Sequence, residues 1–284
     1  MEQSLVREPP TERDEILVLD DPAFNPANVA IVTGAASGIG RATAVALAAN
    51  GLTVVGLDVD PKGGEQTRAI AEGLGGKVEF IDCDLCSDEQ VRAAVEEAAG
   101  LGRLRYLVNI AGVQHIDFIE DFPMDVFDKM QRIMLRAPVL LTKLCIPHFK
   151  ANPDGVGVVG NMASIHAHVC TVAKVSYNIA KFAMRALAQS IAAEGGGKIR
   201  AFTVSTGFVA TPLALGQIPA QAAKRGISPE EVVREVMCGH SRLKELMKPI
   251  EVANLFVFGL SRFARFLIGG DLLFDGGLVL TYGD

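Results

Sequence analysis

The segment that most restricts this chain is V-A-I-V-T-G-A-A-S-G-I-G-R-A-T-A-V-A-L-A-A-N, residues 29–50. A short apolar run enters a turn carrying Gly34, Gly38 and Gly40, and an alanine-rich stretch with helical periodicity follows as far as Gly51. A strand, a glycine turn and a helix in immediate succession open a βαβ unit. The first glycine permits the tight turn. The next two let the backbone approach a pyrophosphate and let the helix pack close to the sheet. The helix start then presents unpaired N–H groups and the positive end of its dipole to phosphate oxygens. Dinucleotide binding is the expectation.

The remainder keeps the same rhythm. Apolar runs at 53–57, 77–81, 106–109, 156–161, 198–204 and 271–274 alternate with helical segments. Such alternation predicts an α/β chain: a single-domain Rossmann fold whose doubly wound parallel sheet of about seven strands is covered on both faces. At 284 residues, about half of them apolar, the chain suits one large domain. That domain is expected over residues 29–284. A polar arm, 1–28, containing Pro9, Pro10, Pro22 and Pro26, precedes it and should be flexible or laid over a neighbour. Residues 211–241 break the alternation and predict a small helical lid.

The formal net charge of -6 and the lack of a Lys/Arg run argue against nucleic acid as a partner. No run of eighteen apolar residues exists to span a membrane, and the acidic N-terminus lacks an apolar leader, so a cytoplasmic protein is expected. Cys83, Cys86, Cys145, Cys170 and Cys238 read as reduced thiols. The lone C-x-x-C and the pair His166 and His168 lack the further ligands a metal would need.

Asp58 closes the second run about twenty residues after the glycines, where a carboxylate accepts from ribose hydroxyls and repels a 2′-phosphate. This favours NAD over NADP, with Arg41 the nearest cation inside the first helix. Tyr177 and Lys181 stand four apart on one helical face, so the ammonium is expected to lower the phenol pKa and make it a usable acid and base. Ser164 is expected at the end of the fifth strand, at the sheet edge where ligands bind.

With these motifs in place, residues 28–280 resemble the short-chain dehydrogenase/reductase family. T-G-A-A-S-G-I-G, Asp84-Leu85, N-I-A-G from Asn109, Ser164, Tyr177-x-x-x-Lys181, T-G-F-V-A-T (206–211) and D-G-G (275–277) match its motifs. The resemblance implies a cofactor site from Gly34, Ser37, Gly38, Ile39, Gly40, Asp58, Asp84, Leu85, Asn109, Tyr177, Lys181, Val209 and Thr211. It also implies catalysis by Ser164, Tyr177 and Lys181, and a homotetramer. Two positions depart from the pattern: Thr206 replaces a proline, which should loosen the turn, and Met134 stands where the family has a fourth catalytic residue, an asparagine. Segments 113–123, 163–166 and 211–219 with Lys174 resemble the 3-hydroxybutyrate dehydrogenase branch, in which Gln114, His166, Lys174 and Gln217 would hold a substrate carboxylate. The function implied is NAD-dependent interconversion of a small 3-hydroxy acid, (R)-3-hydroxybutyrate foremost, with its 3-keto acid. The alternatives are a dehydrogenase of another secondary alcohol or cyclic hydroxy acid, and a non-catalytic NAD-binding protein. An acyl-carrier-protein thioester reductase fits less well, since it would call for NADP and a basic docking patch.

Overall fold

A computed structural model describes residues 7–281; the first six residues of the expected arm and the last three of the expected domain lie outside the described residues. Seven parallel strands form one sheet in the order β3-β2-β1-β4-β5-β6-β7. They are β1 (Asn28–Thr33), β2 (Thr53–Asp58), β3 (Lys77–Asp82), β4 (Arg103–Asn109), β5 (Gly157–Met162), β6 (Ile199–Thr206) and β7 (Asp271–Phe274). β1, β5 and β6 are buried along their whole length, which is why apolar residues fall on both faces of each strand rather than alternating with exposed polar ones. Helices α1 (Gly38–Ala49), α2 (Pro61–Gly73) and α10 (Pro249–Leu260) cover one face. The other face carries α3 (Asp88–Gly100), α5 (Ala137–Ala151) and α6 (Val175–Glu194). This is the doubly wound α/β arrangement the sequence predicts. Among the described residues no helix is long and apolar enough to cross a membrane.

Several boundaries differ from expectation for physical reasons. β4 starts at Arg103 because Arg105, polar in an apolar run, is held by Asp154 through bonds of 3.1 and 2.7 Å. β6 continues to Thr206, which pairs in register with Phe274, so the residue replacing proline belongs to the sheet instead of loosening a turn. β5 ends at Met162, and Ser164 stands two residues beyond it, at the cap of a 3₁₀ turn, Ile165–Ala167. Ahead of α6, Ala173 adopts a left-handed conformation (φ 61°), unusual for a residue with a Cβ. Its carbonyl accepts from Asp117 N–H at 2.9 Å, which joins the loop after β4 to the entry of α6.

The N-terminal segment from residue 7 packs against its own domain. Ile16 and Phe24 are buried, and Phe24 meets Tyr106 edge-on at 5.9 Å. Asn50 and Asn254 clamp the segment. Asn50 donates to Leu17 O at 2.8 Å and accepts from Leu19 N–H at 2.9 Å, while Asn254 accepts from Leu17 N–H at 2.8 Å. The segment 211–241 is helical as expected, with α7 (Pro212–Leu215), α8 (Ile218–Arg225) and α9 (Pro229–Glu231), and it gathers its own small apolar cluster around Ile218, Val232 and Met237.

Gly40 shows how tightly the first turn is built: a Cβ there would lie 1.9 Å from the Gly34 carbonyl oxygen. Gly40→Ala should therefore force α1 away from β1 and destabilise the fold by about 1–3 kcal/mol. A thermal melt checks this, and an unchanged Tm would contradict it.

Candidate active site

Strand order reverses between β1 and β4, so their carboxyl ends diverge and open a crevice. Thr33 secures that point, its Oγ1 accepting from Ile110 N–H at 2.9 Å and Ala111 N–H at 3.1 Å. A cavity of about 380 Å³ occupies the crevice and continues beneath the 211–217 segment. Of the catalytic, cofactor and substrate residues expected from the sequence, all line it except Asn109. Asn109 is buried in register with Asn161 on β5 and donates to its Oδ1 at 2.8 Å. It is not among the residues that line the cavity, and its own Oδ1 has no hydrogen-bond partner among the described residues.

At one end of the cavity lie Gly34, Ser37, Gly38, Ile39 and Gly40. Ser37 occupies the N-cap of α1 without a side-chain capping bond, which leaves the first N–H groups of the helix to face the cavity. Asp58 ends β2 with its Oδ2 accepting from Ala36 N–H at 3.0 Å and its Oδ1 from Val59 N–H at 2.7 Å, so the glycine turn fixes the carboxylate. Arg41 points elsewhere. Its guanidinium donates to Ala36 O, to Thr67 Oγ1 at 3.2 Å and to Glu8 at 3.4 Å, and it is absent from the cavity wall. Asp84 and Leu85 form the adjoining wall, with Asp84 Oδ1 accepting from Cys86 N–H at 2.9 Å. Val209 and Thr211 form the opposite wall, where Thr211 caps α7. An uncapped helix start, close-packed glycines and a fixed carboxylate are the donor and acceptor set that a dinucleotide requires, so the residues present fit one.

The polar groups at the other end are linked. Ser164 Oγ lies 3.1 Å from His166 Nδ1, and His166 Nε2 lies 2.9 Å from Thr171 Oγ1. The His166 and Tyr177 rings meet edge-on at 5.4 Å, and the Ser164 hydroxyl favours the ionised form of the Tyr177 phenol. Lys181 Nζ donates to Met162 O at 3.0 Å and lies 5.3 Å from the centre of the Tyr177 ring. Gln114 Nε2 is shielded from solvent without a hydrogen-bond partner among the described residues. Lys174, at the N-cap of α6, shares the cavity wall with it. Gln217 also lines the cavity, but its amide N–H donates to Leu213 O at 2.8 Å. Sequence reasoning passed over Thr171, whose only signal was a hydroxyl a few residues after a histidine.

Burial dominates the electrostatics. Part of the Tyr177 ring stays open to the cavity, yet desolvation pushes its phenol up to about 12, with the Ser164 hydroxyl pulling the other way. The expected lowering by Lys181 does not prevail. Burial brings Lys181 itself down to about 8 and lowers Lys174 as well. His166 falls to about 3, through burial first and then through the charges of Lys174 and Lys181, so its imidazole is neutral at physiological pH. Met134 is buried with Phe122, Met130 and Ala180, inside a π-helical turn, Arg132–Arg136, that joins α4 (Met124–Gln131) to α5. A Cβ placed on Gly112 would lie 3.6 Å from Met134 Sδ and 3.9 Å from Lys181 Nζ, so both side chains reach the loop after β4 at Gly112. Among the described residues no group of three or more His, Cys, Asp or Glu could hold a metal.

Comparison with known proteins adds an independent line. The family model described as enoyl-(acyl carrier protein) reductase, a short-chain dehydrogenase/reductase model, matches residues 34–279. The chain is 32% identical to a D-beta-hydroxybutyrate dehydrogenase of Rhizobium meliloti, with 87% of this chain and 97% of that protein covered. It is 31% identical to a D-beta-hydroxybutyrate dehydrogenase of Cupriavidus necator, covering 88% and 97%. It is also 32% identical to a D-threitol dehydrogenase of Mycolicibacterium smegmatis, covering 89% and 93%.

The buried ammonium has a cost that can be measured. Because the folded pKa of Lys181 is about 8 against an ordinary 10.5, the unfolded chain holds more protons between those values, and the penalty fades as pH rises through that window. Lys181→Met should raise Tm at pH 7, the gain should shrink above pH 8, and turnover should fall on the order of 10²–10⁴-fold. A Tm series from pH 7 to 10 on both proteins checks the sign.

Proposed function

Because the chain belongs to the short-chain dehydrogenase/reductase family and is an oxidoreductase acting on alcohols, we propose that its substrate is a small 3-hydroxy acid, (R)-3-hydroxybutyrate foremost, oxidised reversibly to the 3-keto acid with NAD. The observation that carries this is Gln114 Nε2, a shielded donor without a partner among the described residues, lining the same cavity as the Lys174 ammonium and the hydroxyls of Ser164 and Tyr177. A carboxylate satisfies both the amide and the ammonium, and it repays their desolvation with charge-assisted bonds. His166 and Gln217 border the same space but spend polar atoms on Thr171, Ser164 and Leu213. Gln114 and Lys174 are thus the principal carboxylate ligands. The two hydroxybutyrate dehydrogenases among the relatives support the choice.

When bound, a nicotinamide cofactor supplies the hydride acceptor. Asp58 selects against a 2′-phosphate at the cofactor end, and Arg41, committed to Ala36, Thr67 and Glu8, leaves no cation there to offset it. This preference and the net charge of -6 also count against an acyl-carrier-protein substrate. Tyr177 receives the proton leaving the alcohol oxygen and returns it when the ketone is reduced, while Ser164 donates to the same oxygen. Lys181, buried next to the ring, supplies the ammonium that steadies the phenolate while it exists. A homotetramer is part of the proposal, drawing on exposed Val139, Ile179 and Phe182 along α5 and α6 and on Phe266 and Leu273 near β7.

A second candidate is a larger hydroxy acid. An apolar groove lined by Phe118, Ile119 and Val172 adjoins the cavity and shares Lys174 with it, so a longer tail could leave along that wall.

Initial rates of NADH formation test the proposal. The free acid should be oxidised and its methyl ester should not, and Lys174→Ala should erase that preference by raising KM for the acid at least about tenfold. Equal rates with ester and acid would remove the carboxylate clamp. With the phenol pushed up to about 12, kcat for oxidation should rise from pH 7 to 10 and that for reduction should fall. A flat profile in both directions would show that Tyr177 is not the proton carrier.

A further inference from the structure

The contacts joining Ser164, His166 and Thr171 can run in either of two directions. His166 is a neutral imidazole between two hydroxyls, with one N–H to place. If that proton sits on Nε2, it is donated to Thr171 Oγ1, Ser164 must donate to Nδ1, and the Thr171 proton is left without an acceptor among the described residues. If it sits on Nδ1, the Thr171 hydroxyl donates to Nε2, His166 Nδ1–H donates to Ser164 Oγ, and the Ser164 proton remains for the phenol or the substrate oxygen. Only the second arrangement leaves the Ser164 proton free for the reacting oxygen; in the first it is committed to His166 Nδ1 and Ser164 can only accept from the phenol. Thr171 is itself held in place, because Asn178, the residue after Tyr177 on α6, donates from Nδ2 to Thr171 O at 2.9 Å.

We propose that Thr171 is a positioning residue: by donating to His166 Nε2 it holds the Nδ1–H tautomer and thereby keeps Ser164 a donor toward the reacting oxygen. His166 serves mainly as the link in this chain, one step removed from the substrate carboxylate. The inference rests on the dehydrogenase proposal for its kinetic consequence, but the tautomer is a property of the resting protein.

The test has two arms. Nitrogen-15 NMR of histidine-labelled protein, with His166 assigned by its loss in His166→Asn, should show Nδ1 protonated and Nε2 bare at neutral pH. In Thr171→Val the ring should shift toward the Nε2–H form. The kinetic arm uses (R)-3-hydroxybutyrate and NAD, where Thr171→Val should lose about tenfold in kcat, the worth of one hydrogen bond to the reacting oxygen, with KM within about twofold. Thr171→Ser should restore kcat, which a merely structural defect would not explain. An Nε2–H tautomer in the wild-type protein overturns the proposal, as does wild-type kcat in Thr171→Val. Absence of turnover with this acid and with other secondary alcohols would defeat the functional proposal instead, and the spectrum would still decide the direction of the chain.

Discussion

The two bonds that Thr33 Oγ1 accepts from Ile110 and Ala111 hold together the place where the fold divides. On one side of that point the chain winds outward through β2 and β3, on the other through β4 to β7. Parallel strands carry their connections on the faces of the sheet, so a reversal of winding is where two neighbouring carboxyl ends have no crossover above them. The pyrophosphate-sized turn comes from the first half and the ionisable groups from the second. A single cavity reaches both because β1 and β4 cannot part.

Around this opening the chain keeps groups that folding alone would not select. Lys181 is buried, Lys174 is held below its ordinary range, and the Asn109 and Asn161 pair leaves one oxygen and one nitrogen without partners. Each lies at or just behind the cavity, within a sheet otherwise filled by aliphatic side chains. Stability is supplied elsewhere, by the continuous apolar strands and by remote clamps such as Arg200, which donates to the carbonyls of Gly259, Leu260 and Ser261 at the end of α10. The site is a local exception that a large core can carry.

Features whose chemistry is local in sequence were legible from it. A glycine turn between a strand and a helix, or a tyrosine and a lysine one helical turn apart, places its groups without further information. Asp58 was legible for the same reason, because strand length fixes where the carboxylate emerges. What depended on distant packing was not. Asn109 sits in a cofactor motif yet turns toward Asn161, since its side chain follows the alternation of β4 rather than the motif. Arg41 looked available until Glu8 and Thr67 closed around it. Ile16, at the head of the short run I-L-V-L, and the single Phe24 gave no periodic signal in an otherwise polar arm, although they bind the N-terminal segment to the domain. The competition between desolvation and charge at Tyr177 and Lys181 also lay beyond pattern, because it depends on how much water the finished cavity excludes.

The left-handed backbone at Ala173 has a mechanical consequence. It lets the strand-like bridge between Asp117 and Lys174 form, so the loop after β4 and the entry of α6 move as one wall. That wall is further tethered through His168, whose Nε2 lies 2.7 Å from Asp271 at the start of β7. A gate cannot be cut in a wall fastened at both ends. The 211–241 segment keeps a separate apolar cluster, and at its far end Ser241 Oγ donates to Gly276 O at 3.0 Å, in the turn after β7. The wall that carries Lys174 and Tyr177 is therefore the braced side of the cavity, held to the sheet at one end and to the loop after β4 at the other.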